Sequence, residues 1–173
     1  HSTFRQRTAA GEFPYLATDR ILVVGDADLS WSRSLVETWG KGVENQLFAS
    51  TYESKEELFE KYGKPEVKAN LKALYDSKEQ VWHQVDAQEL QEVLQQRDQS
   101  RFDFVVFNFP HIGSDEGLQK SIQENQQLLR SFLAQCPHVL QEGPGKEVHV
   151  TLVNRYPYTA WKPAEAQPKE LKH

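Results

Sequence analysis

A single run of residues, 21–32, constrains the fold of this chain more than any other feature. Its first four residues, Ile21–Val24, are apolar and mostly β-branched, which is typical of a strand buried on both faces of a parallel sheet. The run then stops at Gly25, passes through Asp26 and Asp28, and becomes amphipathic. This order predicts a strand, a tight turn and a helix, the unit at which α/β sheets bind nucleotide-like ligands.

The two acids of this turn indicate which ligand it accepts. A dinucleotide would bring its pyrophosphate to the helix N-terminus, where Asp26 and Asp28 would repel it. S-adenosylmethionine has no phosphate and carries a sulfonium and an ammonium group, which carboxylates attract. Ala27 and Ser30 also stand where a dinucleotide fingerprint requires glycine. The turn therefore favours a methyl-donor site.

Composition excludes several other classes of protein. The chain has 173 residues, the size of one ordinary domain. Its 25 acidic residues outnumber its 20 basic ones, which disfavours tight, unaided binding to nucleic acid because phosphate neutralisation supplies most of that affinity. A single cysteine and scattered histidines predict neither a disulfide nor a metal site. The sequence has no Walker motif, no Gly-x-Ser-x-Gly elbow and no apolar run long enough to span a membrane.

Strand patterns and helical patterns alternate along the rest of the chain. Further strands are predicted at residues 47–52, 81–85, 102–107 and 148–152, with amphipathic stretches between them. This alternation predicts an α/β, Rossmann-like methyltransferase fold, a parallel sheet of order 3-2-1-4-5 with helices on both faces. The terminal antiparallel strands usual in such sheets are not recognisable, so the fifth predicted strand would be an open edge.

Three segments are expected from these patterns. They are a flexible N-terminal arm at residues 1–18, the Rossmann-like methyltransferase domain at 19–153 and a proline-rich C-terminal extension at 154–173. The arm contains arginines and no acid before Glu12, so it is either the remnant of an organelle-targeting segment or, as we favour, an unstructured tail. Prolines and scattered charges predict no strand in the extension.

Carboxylates follow two of the predicted strands, at the edge of the sheet where ligands bind. Glu53 follows the second strand, where it could accept both ribose hydroxyls of the donor or stabilise the N-terminus of a helix capped by Ser54. Asp86 follows the third strand, where it could accept the adenine amino group or cap the next helix. On these residues alone, both alternatives stay open for Glu53, whereas the capping role is favoured for Asp86.

The fourth predicted strand ends in the sharpest motif of the chain, Asn108-Phe109-Pro110-His111. Asn108 is suited to hydrogen-bond the edge of a base, Phe109 to stack on it and Pro110 to hold the loop rigid. His111 or Asp115 would take a proton from a ring nitrogen. The alternative is an ordinary loop, but a buried strand rarely stops in such a polar, rigid run, so we favour the functional interpretation.

Together these motifs resemble the Rossmann-like domain of eukaryotic large-subunit ribosomal RNA uridine-N3 methyltransferases, over roughly residues 20–161. The matching segments are VGDADLSWS at 24–32, ASTYESKEEL at 49–58, VDA at 85–87, the stretch from FD at 102–103 to NFPH at 108–111, and HVTL at 149–152. The resemblance implies S-adenosylmethionine as the cofactor. Its methionine end would lie at residues 25–30, its ribose at Glu53 and its adenine at Asp86, with the target base beside residues 108–111. The family usually has glycine where Ala27 stands, and a methyl group there would crowd the donor.

The leading hypothesis is methyl transfer to N3 of a uridine in ribosomal RNA, inside the cell, in the nucleolus or the mitochondrion. That nitrogen lies in the base-pairing edge, so the base must be unpaired or flipped out. The alternative is a catalytically degenerate methyltransferase fold that serves as a structural or assembly factor in a ribosomal ribonucleoprotein. Ala27, the open edge and the acidic charge favour that alternative, with ribosomal or assembly-factor proteins along the fifth strand and the C-terminal extension. A small-molecule methyltransferase is a weaker third hypothesis.

Overall fold

The computed structural model describes residues 2–7, 14–40, 46–110, 116–153, 155–166, 168 and 171–172. Within these residues the strands are β1 (Ser2–Arg7), β2 (Ile21–Val24), β3 (Leu47–Ser50), β4 (Gln80–Trp82), β5 (Phe104–Asn108), β6 (Glu147–Thr151) and β7 (Leu171–Lys172). The helices are α1 (Ser30–Trp39), α2 (Lys55–Tyr62), α3 (Lys64–Asp76), α4 (Leu90–Arg97), α5 (Leu118–Val139), a 3-10 helix (Tyr158–Trp161) and α6 (Pro163–Ala166). The strands form one sheet of order β4-β3-β2-β5-β6-β1-β7.

The predicted α/β fold and strand order are confirmed. The five predicted strands are β2 to β6, which adjoin as β4-β3-β2-β5-β6, and every described pair in the sheet is parallel. Two strands end at least two residues earlier than predicted, β3 at Ser50 and β4 at Trp82. Glu53 and Asp86 therefore lie in the loops beyond these strands.

Strand β1 occupies the edge that was expected to be open. It pairs in parallel with β6 from Thr3↔Glu147 to Arg7↔Thr151, and with β7 on its other side. Phe4 is fully buried in the core. Residues Ser2–Arg7 thus form a strand where a flexible arm was expected, and the edge of β6 is paired within the chain itself. Docking of a partner protein along that edge is therefore not supported.

The C-terminal extension packs against α5. Trp161 is 2% exposed, and Tyr158 and Ala166 contact the same core. Gln126 in α5 donates a hydrogen bond to the carbonyl oxygen of Ala160 at 2.7 Å. The extension also contains the two-residue strand β7. The prediction of no strand in the extension, which was based on its prolines and scattered charges, is therefore wrong. No helix among the described residues is long and apolar enough to cross a membrane.

Two hydrophobic layers flank the sheet. On the side that we call the α1 face, α1, α2 and α3 pack on Ile21, Val23 and Val106. On the opposite side, the α5 face, α4 and α5 pack on Val24 and Phe107. Because successive strand residues point to opposite faces, each buried strand supplies both layers. The carboxyl ends of β2, β3 and β5 meet at one edge between the layers.

Candidate functional site

A cavity of about 1270 Å³ opens at this edge of the sheet. Its lining includes every described residue that the sequence nominated: Gly25, Asp26, Ala27, Asp28, Ser30, Glu53, Asp86, Asn108, Phe109 and Pro110. The other two nominated residues, His111 and Asp115, lie outside the described residues. The fold therefore brings residues from four separate loops to one place, as the strand order predicted.

The turn after β2 has backbone angles that favour glycine. The φ angle is +61° at Gly25, +32° at Ala27 and +71° at Leu29. A Cβ atom added at Gly25 would lie 3.0 Å from Cε1 of Phe107, so only glycine lets the backbone pass this ring without displacing it. The turn is thus tightly constrained, and its backbone forms part of the cavity wall.

Ala27 is exposed and lines the cavity with a backbone angle unusual for an L-residue. We expect Ala27→Gly to raise donor affinity several-fold, because the substitution removes the methyl group from the donor side of the turn. The free energy of unfolding should change by less than about 1 kcal/mol, since relief of strain offsets the greater freedom of the unfolded chain. Titration calorimetry with S-adenosylmethionine measures the first effect and urea unfolding the second.

Lys78→Gly is the matched control, because Lys78 has a similar positive φ of +56° but does not line the cavity. It should leave donor affinity unchanged. If Ala27→Gly weakened donor binding, the alanine methyl group would be a favourable contact and our expectation of crowding would be wrong.

Asp26 lies beneath the N-terminus of α1. It is 8% exposed, and its Oδ2 accepts a hydrogen bond from the Ser32 N–H at 3.0 Å. Burial raises the pKa of Asp26 to about 7, while hydrogen bonds from Ser32 act in the opposite direction. Asp26 therefore both accepts a hydrogen bond from the first turn of α1 and lines the cavity. Its carboxyl group is only partly charged near neutral pH.

Asp28 and Ser30 flank the start of α1, but neither is its N-cap. The cap position is Leu29, which makes no side-chain capping hydrogen bond. Asp28 instead accepts a hydrogen bond from the Ser30 N–H at 3.0 Å, and Asp26 supplies the acceptor at the third helical residue. The two carboxylates share the task that a single cap residue normally performs.

The raised pKa of Asp26 makes stability depend on pH. Because the folded state favours the protonated carboxyl, this contribution is present below about pH 4 and is lost as the pH rises through about 7. Asp26→Asn keeps an oxygen acceptor for Ser32 and removes the titration. Between pH 5 and 8 the wild type should therefore lose about 2–3 kcal/mol of unfolding free energy relative to the variant.

Urea unfolding of both proteins at each pH measures this difference, and all other titrating groups are the same in the two chains. Parallel stability profiles for wild type and Asp26→Asn would contradict the assignment. Such a result would mean that the Asp26 carboxyl stays ionised in the folded protein throughout this range.

Glu53 lies in the loop between β3 and α2, with its side chain 17% exposed. Its Oε1 accepts a hydrogen bond from Lys61 Nζ at 2.8 Å, and this bond is the main cause of a raised Lys61 pKa. Ser54 caps α2 as expected, and with Glu57 it forms a capping box at the start of this helix. The N-terminus of that helix is therefore capped without Glu53, whose carboxylate lines the cavity.

Asp86 lies in the loop between β4 and α4. Its Oδ1 accepts a hydrogen bond from the Gln88 N–H at 2.8 Å, which closes a local turn. The N-cap of α4 is Glu89, so the capping role considered for Asp86 is not observed. Beside it, Ala87 and Leu128 give the cavity an apolar wall on the α5 face.

Asn108 ends β5 at the rim of the cavity. Its Oδ1 and Nδ2 are both buried, and neither has a hydrogen-bond partner among the described residues. A buried polar group left unpaired costs about 1–3 kcal/mol, so such a group requires an explanation. The next residue, Phe109, has a φ of +52° and is 49% exposed, and its N–H donates to the carbonyl oxygen of Thr151 at 2.8 Å.

Sequence reasoning missed a second set of cavity residues, which come from α1, α2 and the loop before α2: Trp31, Ser34, Tyr52, Glu57, Glu60, Lys61 and Tyr62. Trp31 stands in the amphipathic stretch after the turn, where an aromatic residue is typical of core packing. The acids of α2 have the pattern of an ordinary solvated helix face, so no local signal marked them. With them, the described lining carries six carboxylates and one lysine, a charge balance that attracts cations and repels phosphates.

The strand order, the glycine turn after the first of the buried strands and an acidic cavity beyond it define a Rossmann-like methyltransferase. A match to a sequence family makes the identification more specific. The chain belongs to the BMT5-like family, described as "rRNA (uridine-N3-)-methyltransferase BTM5-like", whose model matches residues 22–171.

Two curated proteins and one solved structure are similar to this chain. An uncharacterized protein of Arabidopsis thaliana is 30% identical over 151 residues, which cover 85% of this chain and 69% of the relative. Heavy metal-associated isoprenylated plant protein 41 of the same species is 33% identical over 152 residues, which cover 85% of this chain and 28% of the relative. The solved structure of SMU.776, a proposed methyltransferase complexed with SAH, shares the fold with a TM-score of 0.50 at 12% identity, over 84% of this chain and 34% of that chain.

Family and fold imply S-adenosylmethionine as the methyl donor. The residues of the cavity fit this donor. Gly25 provides a backbone position that a side chain would obstruct, and the surplus of carboxylates suits a ligand with two cationic groups.

Proposed function

We propose that this chain transfers a methyl group from S-adenosylmethionine to N3 of a uridine in ribosomal RNA. The observation that carries the proposal is the buried amide of Asn108, which has no hydrogen-bond partner among the described residues and ends β5 in the same cavity as the acidic turn. Family membership supports the RNA substrate, and the chemistry of the amide supports recognition of a base edge.

The turn at residues 25–30 would hold the methionine end of the donor, Glu53 its ribose hydroxyls and Asp86 its adenine amino group. When bound, S-adenosylmethionine supplies a methyl group on a positively charged sulfur, and its product is a neutral thioether. Asp28, Glu53 and the other cavity carboxylates would stabilise the cationic donor more than the neutral product. This difference favours exchange of product for new donor.

On the acceptor side, N3 of uracil lies between two carbonyl groups and carries a proton. Asn108 can donate from Nδ2 to one of these carbonyl oxygens, which also stabilises the negative charge that develops when the proton leaves. His111 and Asp115 stay the predicted bases for that proton. Because Pro110 restricts the loop between Asn108 and these residues, acceptor and base would be held in a defined orientation.

The proposal is tested by donor binding and by product analysis. Titration calorimetry should show binding of S-adenosylmethionine that is tighter than binding of S-adenosylhomocysteine. Incubation with donor and unmodified ribosomal RNA, followed by nucleoside mass spectrometry, should yield N3-methyluridine. A failure to bind donor at millimolar concentration would overturn the proposal, and a different methylated nucleoside would overturn its uridine N3 part.

A second candidate function is a structural or assembly role in a ribosomal ribonucleoprotein. Ala27 favours it, because this residue lines the cavity and a methyl group there would crowd the donor. This function predicts association with ribosomal particles in the absence of donor binding, with contacts on the C-terminal extension. For either function, the nucleolus and the mitochondrion stay the predicted locations.

A further inference from the structure

Two loops of the cavity are joined to each other beyond the ends of β3 and β4. The Thr51 N–H donates a hydrogen bond to the carbonyl oxygen of Trp82 at 2.9 Å, and the Val85 N–H donates to the carbonyl oxygen of Thr51 at 2.9 Å. These bonds continue the pairing of the two strands past their ends. The loop that carries Glu53 is therefore held beside the loop that carries Asp86.

A chain of polar groups leads from His83 to the backbone of Glu53. The Thr51 hydroxyl donates a hydrogen bond to the carbonyl oxygen of Glu53 at 2.8 Å, and its oxygen lies 2.9 Å from Nδ1 of His83. A hydroxyl group has one proton to donate, and a carbonyl oxygen can only accept it. The imidazole must therefore donate from Nδ1–H to the Thr51 hydroxyl. The Gln84 N–H is a second donor to the same carbonyl oxygen, at 3.2 Å, from a backbone with a φ of +56°.

The other ring nitrogen of His83 is buried. Nε2 has no hydrogen-bond partner among the described residues, so a proton there would leave a buried N–H unpaired. Burial lowers the pKa of His83, and the charge of Lys55 acts in the same direction, whereas Glu56 raises it. The ring is therefore neutral near pH 7, with its single proton on Nδ1.

We propose that His83 is a positioning residue of the donor site, which acts through the Thr51 hydroxyl to hold the backbone at Glu53 where its carboxylate meets the donor ribose. This inference rests on the proposed function, since it takes the cavity to be the donor site. Lys61 orients the far end of the Glu53 side chain, and the Thr51 hydroxyl holds its backbone. A residue fixed at both ends before binding loses less conformational freedom when the ligand arrives.

Removal of either polar group should weaken recognition of the ribose. His83→Ala and Thr51→Val should each weaken binding of S-adenosylmethionine about 3- to 10-fold, the net contribution of one hydrogen bond. The preference for S-adenosylmethionine over an analogue that lacks the ribose hydroxyls should fall by the same factor. The double variant should lose no more than His83→Ala alone, because both substitutions break one chain of hydrogen bonds. The backbone bonds between the loops do not need either side chain, so the variants should fold, which urea unfolding checks.

His83→Asn and His83→Gln form a matched pair that separates hydrogen bonding from packing. The amide nitrogen of asparagine is bonded to Cγ, as Nδ1 of histidine is, so it can donate to the Thr51 hydroxyl. The amide of glutamine lies one bond further out. His83→Asn should keep donor affinity and ribose preference within about twofold of the wild type, whereas His83→Gln should behave like His83→Ala. Equal losses in both variants would contradict a role for Nδ1.

Long-range proton–nitrogen correlation NMR spectra of the wild type give a readout that does not depend on the donor. Near neutral pH, Nδ1 of His83 should be protonated and Nε2 unprotonated. A proton on Nε2 alone, or full ribose preference in both His83→Ala and Thr51→Val, would overturn the inference. Because the wild type would still bind donor and methylate RNA in that case, this failure is distinguishable from failure of the proposed function, which loss of donor binding by the wild type would reveal.

Discussion

Gly25→Val should abolish measurable donor binding and lower the free energy of unfolding by about 2–4 kcal/mol. Gly25 has a φ of +61°, in the left-handed region that a β-branched residue strongly resists. The added Cβ would also lie 3.0 Å from Cε1 of Phe107, a ring that is itself packed against Phe132 at 4.9 Å. The ring cannot retreat without disturbing the core, so the turn must move into the cavity.

Gly145→Val separates the effect of backbone strain from the effect of the contact with Phe107. Gly145 also has a positive φ, +81°, but an added Cβ would meet nothing within 4 Å. This control should lose only about 1–2 kcal/mol, from backbone strain, and bind donor normally. Thermal unfolding and calorimetry with S-adenosylmethionine measure both effects. If Gly25→Val bound donor as well as Gly145→Val does, the turn after β2 would not be part of the donor site.

The order of the central strands could be predicted because their apolar runs are strong local signals. Ile21–Val24 and the residues of β5 are buried on both faces, and each is bounded by a polar or glycine-containing turn. Strand β1 gives no such signal, since Phe4 is its one large apolar residue. Its strand conformation depends on pairing with β6, a contact between distant parts of the chain that local pattern cannot reveal.

Some residues of the candidate site could likewise be predicted from local sequence pattern, whereas others could not. Asp26, Glu53, Asp86 and Asn108 could be nominated because parallel strands bring their carboxyl ends to one edge. Trp31 could not, because an aromatic residue on the apolar side of a helix predicts core packing equally well. The burial of Asp26 could not be predicted either, because the sequence of a turn does not indicate which of its carboxylates lies beneath the following helix. Both properties depend on how α1 packs against the sheet.

Glu53→Gln should weaken donor binding about 10- to 150-fold, the contribution of one hydrogen bond to a charged acceptor. Lys61 already occupies Oε1 at 2.8 Å, which orients the carboxylate in the cavity wall. The ribose hydroxyls would then donate to a carboxylate whose position is set before binding. Loss of the pair with the exposed Lys61 should cost less than about 1 kcal/mol of stability, so unfolding would not explain the weaker binding.

A donor analogue without the two ribose hydroxyls makes this test specific. The wild type should bind the analogue 10- to 150-fold more weakly than S-adenosylmethionine, whereas Glu53→Gln should bind the two within about fivefold of each other. Glu60→Gln is the control, because it removes the same charge from the same cavity and should preserve the discrimination. Equal discrimination by wild type and Glu53→Gln would mean that the carboxylate does not touch the ribose. Glu53 would then act only as the partner of Lys61, and the ribose would have to be bound elsewhere in the cavity.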